Sequence, residues 1–264
     1  MGTRRHASAI SRLTLLLAGL LAIAVPSPAS AQFHVAEPEV IKGQGQLADH
    51  GAVYAGPGTE EQLDQAHQLE LFYGLTDRLG FLTVGLLQQP IGSGLEAQTY
   101  EIGGQYQLLK PEGEGFALAF RSLYQKALQE GDPDQVLFGP IAKLASRNIS
   151  ATLDTFFEQS LGAGNITGLD TKWRVKHRLG DRMSIGVEGY GKIKDIADPG
   201  SFNEQEHRVG PVVYFKFGPW SEQEFRDVSG VGEEKIWGAS FGALFGLTEA
   251  TSDIAFKFNL SGVF

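Results

Sequence analysis

The chain has no cysteine and only two methionines in its 264 residues. Without cysteine there is no disulfide framework and no thiolate metal site, so the fold must hold itself by packing and hydrogen bonding. Basic residues are also few, with 22 Lys and Arg against 31 Asp and Glu, a balance that argues against nucleic acid as a partner. Long apolar runs are missing except for one, Leu13 to Val25, and this falls well short of the roughly 20 residues a helix needs to cross a bilayer. Arg4, Arg5 and Arg12 lie before it, and Ala29-Ser30-Ala31 follows. That order is expected of a secretory signal peptide over residues 1–31, cut after Ala31. Removing the three arginines leaves 19 basic residues against 31 acidic ones, a net charge of −12 on residues 32–264. If the exported chain spans a membrane, it must do so with strands.

Glycine and aromatics are abundant: 34 Gly, 17 Phe, 7 Tyr and 3 Trp. This mixture suits strands joined by tight turns. "YGLTDRLG", "LKPEGEGF", "ASRN" and "HRLGDRM" each separate two alternating runs, as in antiparallel hairpins. The connections "QQPIGSGLE", "LQEGDPDQ", "LGAGNITGLD" and "KDIADPGSFNEQEH" are longer and more polar. Short and long connections thus take turns along the chain, the asymmetry of a membrane barrel with tight turns on one rim. "GPWSEQEFRDVSGVGEE" departs from this order, because the alternation places it on the short-turn rim. "YGLTDR" and "FGLTEA" resemble each other but fall on opposite rims, so they read as shared turn chemistry and not as a duplication.

The faces alternate with a period of two. Met183, Ile185 and Val187 oppose Ser184, Glu188 and Lys192. Val209, Val213 and Phe215 oppose Arg208 and Lys216, and Tyr100, Ile102 and Tyr106 oppose Glu101, Gln105 and Gln107. A soluble sandwich would bury the apolar face, whereas a transmembrane barrel turns it to lipid and encloses the polar one. Strands of about ten residues match a tilted bilayer crossing, and Tyr and Trp on the apolar face match an interfacial girdle. The expected fold is therefore all-β: one closed antiparallel transmembrane β-barrel over 32–264, with roughly twelve strands (range about 10–14).

The final stretch, "DIAFKFNLSGVF", sets Ile254, Phe256, Phe258, Leu260 and Phe264 on one face. Together with the leader and the alternating strands, it resembles bacterial outer-membrane β-barrel proteins. That resemblance implies that Phe256, Phe258, Leu260 and Phe264 form a C-terminal signal read by a barrel-assembly machinery, with Gly262 small where a larger residue is common. It also implies residence in the outer membrane, in contact with its lipid. The "GLTDR" turn is similar to those of small porin-like transporters.

The inward faces are expected to carry Glu70, Glu101, Arg121, Lys143, Asp154, Glu158, Lys172, Arg174, Lys176, Glu188, Lys192, Arg208, Lys216 and Lys257. One reading sets a basic wall against a partly acidic one, a field that would select polar solutes; the other has these charges pair and fill the interior. His34, His50, His67, His177 and His207 form no recognisable Ser-His or metal-binding spacing. No catalytic residue, metal or cofactor is therefore expected. The leading expectation is a narrow passive channel for small polar or anionic solutes. The alternatives are a closed barrel acting through its outer loops and, third, an outer-membrane enzyme. Residues 33–63 read equally as strand, plug or tail.

Overall fold

In the computed structural model the described residues are 33–55, 63–111, 113–162, 165–218 and 237–264. The expected signal peptide at 1–31 lies outside them. Twelve strands follow one another: β1 (Gly45–Ala55), β2 (Leu63–Gly74), β3 (Leu79–Pro90), β4 (Glu96–Leu109), β5 (Gly115–Ala127) and β6 (Asp134–Ala145). They continue as β7 (Ile149–Leu161), β8 (Thr167–Arg178), β9 (Met183–Ile193), β10 (Glu206–Phe217), β11 (Trp237–Gly246) and β12 (Ile254–Val263). Each pairs antiparallel with its sequence neighbours, and β1 pairs with β12 from Gln46 opposite Val263 to Ala55 opposite Ile254. The sheet is closed and has no free edge.

The connections sort as expected. The rim holding the start of β1 and the end of β12 has the turns 75–78, 110–114, 146–148 and 179–182, and the opposite rim has 91–95, 128–133, 162–166, 194–205 and 247–253. β10 ends and β11 begins at the first rim, as the alternation requires. In the 75–78 turn, Thr76 Oγ1 accepts from the backbone N–H of Leu79 at 2.9 Å and of Arg78 at 3.2 Å. A hydroxyl closing its own turn in this way explains the Thr in "GLTDR".

Two Gly-Pro pairs interrupt the ladder without shifting it. Between β6 and β7 the pairing passes from Phe138–Phe157 to Ile141–Asp154, skipping Gly139 and Pro140. Between β10 and β11 it passes from Val209–Phe245 to Val212–Gly242, skipping Gly210 and Pro211. Proline has no N–H to donate.

Alternation decides what meets which solvent. Leu69, Leu71 and Tyr73 on β2, Ile185 and Val187 on β9, and Phe256 and Leu260 on β12 stand exposed on the outer wall. Their neighbours Glu70, Glu188 and Lys257 are buried. An apolar exterior around a charged interior is the arrangement of a membrane-spanning barrel and the inverse of a soluble sandwich. One sector departs from the expected polar lining. On β3, Leu82, Val84 and Leu86 also point inward, where Leu82 and Val84 pack with Leu123 and Leu137. β3 is thus apolar on much of both faces.

Candidate functional site

The interior is occupied by the chain itself. Residues 33–42 do not join the sheet but run as an extended strap inside it. The chain enters through a turn at 41–44, where the Gln44 N–H donates to the Ile41 carbonyl at 3.2 Å and Gly43 takes φ +78°. Only glycine adopts that φ freely, so the reversal depends on it. Gly43 and Gln44 also exchange hydrogen bonds with Gly74, which anchors the turn to the rim. From there the strap, read backwards, climbs in the direction of β1, so its own chain direction is antiparallel to that strand. Val40 sits beside Gln107 near the first rim, and Phe33 packs on Tyr54 and Tyr190 towards the other.

Buried backbone groups need partners, and here the barrel's side chains supply them. The Ala36 N–H donates to Asp154 at 2.6 Å and the Val40 N–H to Gln107 Oε1 at 3.0 Å. Gln105 donates to the Glu37 carbonyl at 3.0 Å and Lys110 to the Val40 carbonyl at 3.2 Å. The strap's apolar side chains have seats of their own. Phe33 and Val35 pack with Ala52, Tyr190, Leu244 and Ala255, and Ala36 with Ala119, Ile141 and Phe156. Inward-facing alanines leave the room that a second layer of backbone requires.

Its ion pairs aside, the strap is held by a narrow margin. Ordering its eight residues from Phe33 to Val40 costs about 8–16 kcal/mol at 1–2 per residue. Burying Phe33, Val35 and Val40 returns about 5–9 kcal/mol. The four hydrogen bonds to strap backbone add about 2–6. The two sides nearly cancel.

The charges lie in layers. Towards the second rim, Lys192 pairs with Glu158 at 3.0 Å, Lys172 with Asp170 at 3.0 Å, and Arg208 with Glu206 at 4.0 Å. In the middle, Glu188 accepts from Lys257 and Tyr190 and, at 2.7 Å, from Tyr214. Glu101 is buried on the inner face, and Arg121 lies 3.6 Å from Glu70. Towards the first rim stand Lys143, Arg174 and Lys176, with Lys216 exposed at the edge. Here the ion-pair partners come from the strap. Lys143 meets Glu37 at 2.9 Å and Glu39 at 2.7 Å, and Arg174 also grips Glu37. Lys176 stands over the Tyr214 ring at 5.5 Å and Arg174 at 5.8 Å.

Of the fourteen residues expected inside, thirteen are buried or half-buried and Lys216 is exposed at the rim. The segregated field does not survive. Register sets Asp170 opposite Lys192, Glu188 opposite Arg174, and Glu206 opposite Lys192, so acids are interleaved with the bases. At the first rim the bases outnumber the wall acids, with Glu188 opposite Arg174, and the strap supplies the ion-pair partners of Lys143 and Arg174.

Sequence reasoning missed a cluster that the strap completes. His34 stacks on His50 with ring centroids 3.8 Å apart, and Nδ1 of His34 lies 3.7 Å from Glu70. One potential ligand atom from each of the three falls within 4.8 Å of the others. Parallel rings do not aim their lone pairs at a common point, and Arg121 already shares Glu70. His67 is on the outer wall, and His177 and His207 lie near strand ends.

Closure, up-and-down order, an outward apolar band and a charged interior define the chain as a β-barrel of the outer-membrane type. No family model and no curated protein matches the sequence. Among solved structures it is similar to the NanC porin, at 8% identity and a TM-score of 0.49, covering 82% of this chain and 98% of that one. Omp33 of Acinetobacter baumannii matches at 10% identity and 0.41, covering 85% and 98%. LpxR from Salmonella typhimurium matches at 10% and 0.43, covering 83% and 99%. Likenesses of this degree assign no activity.

Proposed function

We propose that the chain is an outer-membrane barrel that gives small polar solutes, anionic ones above all, a narrow passive path. The observation that carries this reading is the layer at the first rim. Lys143, Arg174 and Lys176 line the wall there, and the acids that neutralise Lys143 and Arg174 belong to a strap outside the sheet. A barrel whose interior served packing alone would close this layer with wall residues, as Glu158, Asp170 and Glu206 do towards the second rim. Positive charge on a narrow passage attracts and orders anions. The path needs no cofactor.

One observation favours the second reading, a closed barrel working through its outer loops: the strap fills the path. The two are separated by conductance in planar bilayers, using the refolded wild-type barrel beside a variant lacking residues 33–40. Discrete, anion-selective steps that become frequent when the strap is removed are expected. Silence from both proteins, each shown to be folded by its heat-modifiable electrophoretic mobility, would overturn the channel.

Outer-membrane residence and delivery by a barrel-assembly machinery belong to the same proposal. Fractionation of the exported chain with outer-membrane lipid tests the first, and loss of assembly on changing Phe256, Phe258, Leu260 and Phe264 tests the second.

A further inference from the structure

Glu37 and Glu39 are the strap's two acidic side chains, and Pro38 between them keeps the backbone extended, so both project towards Lys143. Glu37 is shared between the Lys143 ammonium and the Arg174 guanidinium, and Glu39 lies against the same ammonium. These are charge-assisted contacts of the kind proteins use to recognise carboxylate ligands. The rest of the strap is attached differently, through its backbone to Asp154, Gln105, Gln107 and Lys110 and through small apolar seats. The strap's entry turn at Gly43 is anchored at the rim.

Resting on the channel reading, we infer that Glu37 and Glu39 occupy a binding site for a dicarboxylate, and that the strap is a tethered competitor of the solute. Lys143 and Arg174 form the floor of that site. Lys176 stands two residues from Arg174 on the same inward face of β8, over Tyr214, and supplies further positive charge. A solute with two acidic groups close enough to share one ammonium replaces both glutamates at once. A monocarboxylate replaces only one and leaves the other to hold the strap. Competition of this kind makes the closed state the default and lets the solute favour its own passage.

The test measures binding, so that it stands apart from conduction. Succinate, with acetate as control, is titrated calorimetrically into four detergent-refolded barrels: wild type, E37Q/E39Q, the variant lacking 33–40, and E37Q/E39Q carrying K143Q/R174Q as well. Heat-modifiable mobility verifies each fold. Succinate is expected to bind E37Q/E39Q and the strapless barrel at least tenfold more tightly than wild type. Acetate should gain no more than threefold, and K143Q/R174Q should abolish the gain. Equal succinate affinity in wild type and both strap variants, or a gain that persists without Lys143 and Arg174, overturns the inference. Because no current is read, a barrel that never conducts but shows the tenfold gain refutes the channel and keeps the site. A conducting barrel with no gain does the reverse.

Discussion

His67 and Asp49 hydrogen-bond to each other on the outer wall of the barrel, Nδ1 lying 3.1 and 3.2 Å from the two carboxylate oxygens. A carboxylate only accepts, so Nδ1 carries the proton. Phe258 stands edge-on to the imidazole at 5.6 Å, and Leu47, Leu69, Leu71 and Leu260 share the face. The register puts Asp49 opposite both Leu69 and Leu260, inside the apolar band. Polar groups facing lipid are tolerable when they satisfy each other and costly when alone.

H67L should therefore lower stability by about 1–3 kcal/mol, because it strands a carboxylate against hydrocarbon. D49L/H67L should recover wild-type stability or exceed it. Urea midpoints of the barrel refolded into vesicles give the comparison. An H67L barrel as stable as D49L/H67L would show that the pair faces water.

Inside the wall the same logic applies at higher stakes. Glu188 is held by Lys257, Tyr190 and Tyr214, all buried or half-buried. K257M should cost about 3–5 kcal/mol by leaving that carboxylate without its cation. E188L/K257M should recover most of the loss, since an apolar pair needs no partner. The temperature at which the compact electrophoretic form disappears reads both. A K257M barrel as heat-resistant as wild type would mean that Glu188 is satisfied without the ammonium.

Glycine supplies a test of strand spacing. A Cβ on Gly139 would run into the Thr155 carbonyl on β7, and one on Gly210 into the Ala243 carbonyl on β11. Both glycines precede the prolines that interrupt their ladders, where the neighbouring backbone closes in on the missing side chain. Gly85 on β3 faces open space. G139A and G210A are each expected to cost more than about 2 kcal/mol, the scale of forced overpacking. G85A should be neutral or slightly stabilising, by up to about 1 kcal/mol, through the unfolded state. Three equal midpoints would contradict the close approach.

Much of this architecture was legible because a barrel writes its two solvents into alternate positions. Met183, Ile185 and Val187 could face only lipid once Glu188 and Lys192 were placed inside. Turn chemistry gave the rims. The pairing of charges was not legible, because it depends on the register between strands. Asp170 and Lys192 meet only because Leu169 lies opposite Ile193. The strap was hidden for another reason: it obeys the barrel's needs and no period of its own. Its signals were indirect. Pro38 excludes a central strand, Glu37 and Glu39 complement Lys143 and Arg174, and the inward alanines at 52, 119 and 255 leave a space to be filled.

The seam between first and last strands is closed by Phe264. Its N–H donates to the Gly45 carbonyl at 2.9 Å, its carbonyl accepts from the Gly45 N–H at 2.8 Å, and its ring covers Gly45 where a side chain would otherwise stand. The backbone bonds are indifferent to the side chain, so F264A removes only the aromatic cover from a rim where rings sit well at the lipid boundary. Pairing β1 with β12 joins the two ends of the barrel sequence and comes at the full cost of closing that loop. Refolding of F264A into lipid vesicles, followed by the appearance of the compact electrophoretic form, should therefore be severalfold slower than wild type. F264W should restore the rate, because it returns the ring without changing the seam. A variant G45V, which fills the place the ring occupies, should slow closure even with Phe264 present. If F264A closes as fast as wild type in pure lipid, the aromatic does nothing for the seam itself, and its value must lie in recognition by another protein.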